Sequence, residues 1–325
     1  MLIIDERFRT MGVNARVLAE FPDAVRESAA RTEVARARSC IDALAARLTR
    51  FDPLSELGRL NADRAPSRRV SRDLGAAVRA AIGGAARTEG LVDPTLLGAL
   101  ERAGYAASRA GTPAVGLRAA LRDAPPRAPG APDPASVWRA VAVSPDLRTV
   151  SRPPGVRIDL GGIGKGFAAD AAARLLPSAA RYAVDCGGDL ALGGAEVGER
   201  PWTVDVRSPW GGEPTRIRVR AVGVATSGLD VRLWRAPDGT PRHHLLDPAT
   251  GAPAWTGVIA ATALGATAVD AEIDAKAALL AGPTGAIRLL RVVGGALVLE
   301  GEERVRLVGL APAPITVRVP LRAAA

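Results

Sequence analysis

The feature of this sequence that most restricts its fold is a glycine-rich segment between an apolar stretch and an alanine-rich one. Residues 156–170 read VRIDLGGIGKGFAAD, with four glycines within positions 161–166. This order predicts a strand over 156–160, a tight turn and then a helix. Glycines let the backbone approach a ligand closely, and the start of a helix presents N–H groups to an anion. Because Lys165 adds a charge suited to phosphate, the segment predicts an anion-binding turn, with a purely structural turn as the alternative.

The glycine-rich segment matches neither of the two familiar nucleotide-binding motifs. A Walker loop would need Ser or Thr directly after the lysine, whereas Gly166 follows Lys165. The glycine spacing of the Rossmann fingerprint is also absent. Any anion bound here therefore requires a different arrangement.

Composition narrows the class of protein. The chain has 325 residues, of which 48% are apolar and only 3% aromatic, so a large core must be built from small aliphatic side chains. No apolar run approaches the roughly 20 residues that cross a bilayer, and the N-terminus lacks a signal-peptide pattern. The net charge of +9 comes from basic residues scattered among acidic ones, without a basic tract that alternates with aromatics. The sequence therefore predicts a cytoplasmic protein that binds neither membranes nor nucleic acid.

The rarest residues of the chain fall in the segments that look unusual for other reasons. Only two of the 43 basic residues are lysines, Lys165 and Lys276, and the two histidines, His243 and His244, are adjacent. His244 stands before a rigid Asp-Pro-x-Thr-Gly turn, and the carboxylate of Asp247 follows three residues later. This pattern is typical of an oriented general base and equally of a structural or solvated loop histidine.

Two further segments each have a functional and a purely structural interpretation. Glu272 and Lys276 are four residues apart on a predicted helix, which places them on one face. Such a pair is usually a surface ion pair, but the apolar run after Lys276 predicts a largely buried helix. A second glycine turn, Gly187-Gly188, joins two predicted strands and is by itself only a hairpin signal.

The order of elements favours an α+β fold with mixed or antiparallel sheets packed against helices, in a single chain of two closely packed lobes. Strands dominate the second half, but helices interrupt them, which argues against a doubly wound parallel sheet. Residues 106–136 are rich in Ala, Pro, Gly and Arg and predict a surface insertion with one short helix. Strands are predicted over 12–21, 137–143, 156–160, 181–186, 202–206, 216–225 and 257–264, helices over 32–49, 72–88 and 268–281, and a hairpin turn at 300–302.

Taken together and in this order, these segments resemble the ApbE family of FAD:protein FMN transferases. The family's D-L-G-G-I-x-K-G-Y/F-x-x-D turn is similar to Asp159–Asp170, and its G-G-D/N turn is similar to Gly187–Asp189. Its Ser-Gly pair followed by H-x-I-D-P-x-T-G is similar to Ser227–Gly228 and His244–Gly251. No single piece is specific, but the combination is.

Three upstream segments extend the resemblance toward the N-terminus. Thr10–Gly12 is similar to the family's M-G-T start, Phe51–Asn61 to its aromatic-x-x-x-S-E-x-x-x-x-N segment, and Gly90–Thr95 to its G-x-F-D-P-T segment. The resemblance covers about residues 8–310. It therefore implies one ApbE-like domain over 8–310, with residues 311–325 as a C-terminal tail.

The resemblance implies a substrate, a reaction and a set of site residues. FAD is the substrate, FMN passes to a Ser or Thr hydroxyl of a target flavoprotein, and AMP leaves, with Mg²⁺ bridging the pyrophosphate. His244 would take the proton of the acceptor hydroxyl, and the carbonyl of Gly162 would be one metal ligand. The residues implied to line the FAD site are Met11, Phe51, Leu91, Val92, Asp93, Lys165 and Asp247.

The sequence departs from the family at its last motif, A-D-x-x-x-T-A, in which Asp and Thr bind the metal. Glu272 and Lys276 hold these two positions here. A glutamate can still supply an oxygen ligand, but a protonated lysine cannot ligate Mg²⁺. We therefore expect Glu272 to join Gly162 as a metal ligand, or to hold the Lys276 ammonium while that group takes over part of the cation's catalytic role. Two alternatives to the transferase stay open: an FAD pyrophosphatase that uses water, and a non-catalytic FAD-binding protein with a degenerate metal site.

Overall fold

An eight-stranded sheet forms the frame of the protein in the computed structural model, which describes residues 1–196, 199–220, 222–311 and 321–322. Every neighbouring pair of strands in this sheet is antiparallel. With helices packed on it, the sheet confirms the α+β prediction. In their order across the sheet the strands are β1 (Leu2–Thr10), β2 (Val13–Phe21), β6 (Arg181–Cys186), β7 (Asp189–Gly193), β10 (Gly223–Gly228), β13 (Val258–Gly265), β14 (Gly295–Leu299) and β15 (Arg306–Val308).

Three small sheets and eight α-helices complete the described part of the chain. The small sheets comprise β3 (Ser67–Arg69), β5 (Thr149–Ser151) and β4 (Ala142–Val143); β16 (Leu321–Arg322), β8 (Trp202–Val206) and β9 (Thr215–Val219); and β11 (Leu233–Arg235) with β12 (Pro241–His243). The helices are α1 (Glu27–Leu48), α2 (Glu56–Ala62), α3 (Arg72–Arg87), α4 (Leu97–Arg102), α5 (Leu117–Asp123), α6 (Gly164–Ala173), α7 (Ala268–Leu280) and α8 (Gly282–Val293). No helix among these residues is long and apolar enough to cross a bilayer.

The central strands of the sheet are buried on both faces. On one face, Val17 and Val184 pack against α1 and α6. On the other face, Leu18 and Leu190 pack against β8 and β9. The alternating pattern of 12–21 predicted a strand with one solvated face, and that detail is wrong because the second face is buried as well. On that face Leu18 is apolar, while Arg16 and Glu20 are paired with Asp5 and Arg181. Another apolar cluster joins β13 and β14 to α5, α7 and α8, so helices also pack on this part of the sheet.

Helix α7 lies very close to the sheet because glycines face it. A Cβ on Gly223 would lie 2.1 Å from the carbonyl oxygen of Thr267, and one on Gly265 would lie 2.5 Å from the nitrogen of Ala271. Both distances are far below van der Waals contact, so only glycine allows this approach. Nearly every side of α7 is covered, as its apolar sequence predicted. The helix is therefore a fixed support for the two charged side chains that it carries, Glu272 and Lys276.

Two of the predicted strands, over 156–160 and over 137–143, are wrong. Residues 156–160 form no strand with any part of the chain that the structure describes. Instead the side chain of Asn61 accepts from the N–H of Ile158 and donates to its carbonyl, both at 2.8 Å, while the N–H of Asp159 donates to Pro94. Residues 137–143 form a 3-10 helix followed by the two-residue β4.

Other elements differ from the prediction in extent or were missed. The strand predicted over 216–225 is two strands, β9 and β10, separated by a short connection. Strand β1 and helix α8 were not predicted at all. Within 106–136 the structure places one helix, α5, whereas the limits of the domain and of the tail stay predictions.

Candidate active site

A cavity opens between the segment 50–105, the glycine-rich turn and helix α7. The glycine-rich turn and the His244 loop both reach it, so two segments that are far apart in sequence meet here. Of the residues predicted for the site, seven line the cavity: Phe51, Leu91, Val92, Asp93, Gly162, His244 and Lys276. Four others, Met11, Lys165, Asp247 and Glu272, are not among its lining residues.

The side chains of Lys165, Asp189, Glu272 and Lys276 form a charge cluster beside the cavity. The Nζ of Lys276 lies 3.1 Å from Oε1 of Glu272, and the Nζ of Lys165 lies 3.7 Å from the same oxygen. Lys165 also donates a hydrogen bond to Asp189. The side chains of Asp189 and Glu272 are only 1% exposed. Lys276 is the member of the cluster that lines the cavity, whereas Lys165 is turned toward the two carboxylates.

Burial and neighbouring charges shift the pKa values of the residues in this cluster in opposite directions. Burial favours a higher pKa for Glu272, but Lys276, Lys165 and the N–H of Gly166 outweigh it and lower that pKa. For Asp189, burial prevails over the attraction of Lys165 and raises the pKa to about 7. Burial disfavours the charged Lys165, yet the two carboxylates raise its pKa well above the ordinary value. At neutral pH Glu272 is therefore ionised, and the charged Lys165 lies beside it.

At the start of helix α6, the carboxylate of Glu272 takes the place of a bound anion. The N–H of Gly166 donates to Oε2 of Glu272 at 2.9 Å. The sequence predicted that this turn would offer its N–H groups and Lys165 to a ligand. In the structure this N–H and the Lys165 ammonium both face carboxylates of the charge cluster, because α7 brings Glu272 against the turn.

The residues at the expected metal position do not fit Mg²⁺. This ion needs nearly octahedral oxygen coordination at about 2.0–2.1 Å. In the described ranges no group of three or more acidic, His or Cys side chains could hold a metal. Both oxygens of Glu272 accept hydrogen bonds, one from Gly166 and one from Lys276. The stem of Lys276 runs beside Gly162, with Cε 3.9 Å from the position of a Cβ on that glycine.

His244 has the environment of a neutral base. It lines the cavity, and its Nδ1 is buried with no hydrogen-bond partner in the part of the chain that the structure describes. Burial, followed by the nearby His243, Lys276 and Arg232, lowers the pKa of His244 well below 6.5. The ring is therefore uncharged at neutral pH, so its Nδ1 is available to a proton donor in the cavity, although the lowered pKa makes it a weaker base than a free imidazole.

An aromatic and cationic stack forms one wall of the cavity and was not predicted from the sequence. The Cζ of Arg50 lies 4.2 Å from the ring centroid of Phe51 and 4.7 Å from that of Tyr105. The Nε of Arg50 also pairs with Asp159 at 2.9 Å. The ring of Tyr105 lies 6.4 Å from that of His244. A signal for Tyr105 existed, because it is one of only two tyrosines in a chain poor in aromatics.

Two residues expected at the FAD site have other contacts. Asp247 accepts hydrogen bonds from the N–H of Ala131 at 2.8 Å and from the hydroxyl of Thr250 at 2.9 Å, so its carboxylate holds its own turn and the 106–136 segment. Met11 lies in the turn between β1 and β2 at a φ of 50° and packs against the core beneath α1. Neither residue lines the cavity, and their roles toward FAD stay predictions.

Comparison with known proteins decides the family of this chain. A sequence model described as the ApbE family matches residues 11–298, which is most of the chain. The chain belongs to the ApbE family. The ApbE motifs read from the sequence are thus supported over almost the same range.

Relatives and solved structures of the ApbE family agree with this assignment. The FAD:protein FMN transferase of Treponema pallidum is 32% identical over 249 residues, which span 66% of this chain and 68% of that protein. The FAD:protein FMN transferase of Klebsiella pneumoniae is 32% identical over 157 residues, 46% of this chain and 45% of that protein. The ApbE protein of Thermotoga maritima superposes with a TM-score of 0.76 at 24% identity, covering 94% of this chain and 97% of that one. The flavin transferase ApbE of Vibrio cholerae gives a TM-score of 0.71 at 20% identity, with the same coverage.

Proposed function

We propose that this chain is an FAD:protein FMN transferase, which passes the FMN part of FAD to a Ser or Thr hydroxyl of an acceptor flavoprotein and releases AMP. The observation that carries the proposal is the presence of the neutral His244 and the Lys276 ammonium in the wall of one cavity. A phosphoryl centre needs a base for the nucleophile and positive charge near its oxygens. Curated relatives with this function support the same conclusion.

The cavity offers a place for each part of the reaction. Leu91, Val92 and Phe51 give it an apolar wall for the flavin ring, and Arg50 with Tyr105 closes one side. His244 accepts the proton of the acceptor hydroxyl as that oxygen attacks the phosphorus of the FMN half. The bond from this phosphorus to the bridging oxygen breaks, and its electron pair leaves on the phosphate of AMP. The products are AMP and a protein with one FMN in phosphodiester linkage.

The proposal is tested by co-expressing the chain with an acceptor flavoprotein of the same organism. We expect the acceptor to gain the mass of one FMN, measured on the intact protein, and His244→Ala to abolish the gain. The matched control is His243→Phe, because the neighbouring histidine lies in the core and outside the cavity lining. FMN and AMP released without any acceptor would instead identify a pyrophosphatase. FAD binding without turnover would identify a binding protein.

The cytoplasmic location predicted from the sequence belongs to the same proposal. FAD and newly made flavoproteins are both available in that compartment, so the reaction can take place there. Fractionation of cells that produce the tagged chain at its natural level is the direct measurement, and recovery outside the cytoplasmic fraction would contradict this part.

A further inference from the structure

The charge cluster is balanced without any bound ion. With all four groups ionised, Lys165 and Lys276 bring two positive charges, and Asp189 and Glu272 bring two negative ones, within one set of contacts. Because the pKa of Asp189 is raised to about 7, partial protonation of this carboxyl at neutral pH makes the sum more positive, not less. A divalent cation beside Glu272 would raise the formal sum to +2 in a space with little water to screen it. Asp and Thr, which the ApbE motif has in place of Glu272 and Lys276, would leave a sum of −1 and so favour a cation. The two substitutions together therefore reverse the electrostatic preference of the site.

The Lys276 side chain also occupies the space that an ion would need. Its ammonium is 3.1 Å from Oε1 of Glu272, and its stem lies beside the backbone of Gly162. The second oxygen of Glu272 is held by the N–H of Gly166 at 2.9 Å. Glu272 could offer both oxygens to an ion only by giving up these two hydrogen bonds, which leaves buried polar groups unpaired.

The position of the cluster is fixed by backbone contacts that side chains cannot relax. A Cβ on Gly166 would lie 2.6 Å from the carbonyl oxygen of Ala268 at the start of α7. Asp170 of α6 accepts from the N–H groups of Ala268 and Val269 at 2.9 and 3.0 Å. Helices α6 and α7 are therefore held together, and the backbone of Glu272 stays beside the turn.

We propose that the Lys276 ammonium is the resident cation of this site and neutralises the pyrophosphate of FAD in place of a divalent metal. Glu272 is a positioning residue that holds the ammonium at the cavity wall, and Lys165 lies 3.7 Å from the same carboxylate oxygen. During transfer the negative charge that develops on the departing AMP phosphate pairs with this ammonium, while the acceptor proton goes to His244. The identity of the ligand rests on the proposed function, whereas the exclusion of the metal rests on the cluster alone.

The exclusion of the metal is tested first, without flavin. The full chain is stripped with EDTA, desalted and titrated with Mn²⁺ while free Mn²⁺ is followed by electron paramagnetic resonance. We expect no stoichiometric binding by the wild type at millimolar Mn²⁺. The double variant Glu272→Asp, Lys276→Thr should bind one ion, because its cluster has a net negative charge. One Mn²⁺ bound by the wild type, or none by the correctly folded double variant, would overturn the proposal.

The role toward the ligand is tested by FAD binding, measured by calorimetry in EDTA and in Mg²⁺. The wild type should bind FAD equally well in both buffers. Lys276→Met should weaken binding about tenfold in both, since a charge-assisted contact is lost. Lys276→Arg keeps a cation and should retain Mg²⁺-independent binding. The double variant should bind weakly in EDTA and regain about tenfold with Mg²⁺.

Failure of this inference and failure of the proposed function give different results. Wild-type FAD affinity that rises about tenfold with Mg²⁺ would refute the ammonium as the resident cation while supporting the transferase. A wild type that binds no FAD in either buffer would refute the proposed function, and the Mn²⁺ titration would still decide on the metal. Thermal unfolding of each variant controls for loss of fold, and Lys276→Arg with the double variant decides the question if Lys276→Met does not fold.

Discussion

His243 and His244 are neighbours in the chain but have different surroundings. His243 is fully buried, its ring lies 4.6 Å from that of Trp255, and its Nδ1 accepts from the N–H of Leu245 at 3.3 Å. Burial lowers the pKa of His243 to about 3. His244 faces the cavity instead. Strand β12 ends at His243, and His244 lies in the bend that follows, so one histidine is held in the core while the other lines the cavity.

The buried His243 predicts a loss of stability in acid. Its folded-state pKa of about 3 lies below the ordinary 6.5, so the unfolded chain binds the extra proton first. The stabilising contribution is complete above pH 6.5 and is lost as the pH falls from 6.5 toward 3, at up to about 1.4 kcal/mol per pH unit. His243→Phe cannot titrate, so its free energy of unfolding should depend less steeply on pH. Urea unfolding of both proteins at several pH values between 7 and 5 gives the two slopes, and equal slopes would contradict the prediction.

The residues of the site differ in how far a sequence can reveal them. Gly162 and His244 stand inside local motifs whose turn chemistry is readable, and both line the cavity. Lys276 was recognised because it replaces an expected residue type. Arg50 gave no such signal, since its role depends on Phe51 and on a tyrosine more than 50 residues away in the chain. Stacking across such a separation is a property of the tertiary fold.

At the scale of elements, the site depends on the contact between α6 and α7. Gly166 lets the first turn of α6 touch the start of α7, and Asp170 caps the N-terminus of α7 through two backbone N–H groups. Thr267 caps the same terminus by accepting from Asp270. The glycines of the motif therefore serve the packing of two helices as well as the cavity. This contact sets the distance between Glu272 and the turn.

The helix contact predicts a sharp difference between two glycines of α6. In Gly166→Ala the new Cβ would lie 2.6 Å from the carbonyl oxygen of Ala268, which is backbone and cannot rotate away. We expect a loss of stability of roughly 1–3 kcal/mol and weaker FAD binding. In Gly164→Ala the Cβ would meet nothing within 4 Å, so stability should change by no more than about 0.5 kcal/mol. Chemical unfolding of the two variants makes the comparison, and equal losses would show that the helix contact is not tight.

Helices and strands were predicted correctly where the sequence pattern is local. The prediction failed where the hydrogen-bonding partner lies far away in the chain. The helix predicted over 72–88 is present as α3, which begins after Ser71, whose hydroxyl accepts from the N–H of Leu74. The helix predicted over 268–281 is likewise present as α7. Residues 156–160 have a strand-like composition, yet an asparagine side chain takes the place of the neighbouring strand. No pattern within residues 156–160 reveals that a side chain, and not a strand, is their hydrogen-bonding partner.

At the scale of the whole molecule, the cavity is assembled from three separate stretches of the chain. The segments 50–105, 159–163 and 244–280 all contribute to its wall. Helix α7 belongs to the third stretch and packs on strands β10 and β13 of the eight-stranded sheet. A ligand in the cavity therefore contacts all three stretches, and its binding energy adds to the stability of the folded state.

Ligand binding should therefore stabilise the protein as one unit. With FAD at about 100 times its dissociation constant, we expect an added free energy of unfolding of about 2.7 kcal/mol, equally in EDTA and in Mg²⁺. Thermal unfolding followed by calorimetry measures the shift, and a single transition should move upward without splitting. Riboflavin, which lacks phosphates, is the matched control and should give a smaller shift. An equal shift with riboflavin would mean that the ammonium does not contact the pyrophosphate.

Because lysine is scarce in this protein, the site can be labelled selectively by its amine chemistry. Arginine supplies 41 of the 43 basic side chains, and the only two lysines both belong to the charge cluster beside the cavity. Apart from the amino terminus, an acylating or carbonyl reagent selective for primary amines thus has no other side-chain target in the whole sequence. Apart from that terminus, a covalent label would mark only the charge cluster, and protection of Lys276 from labelling would report occupancy of the cavity without any engineered tag.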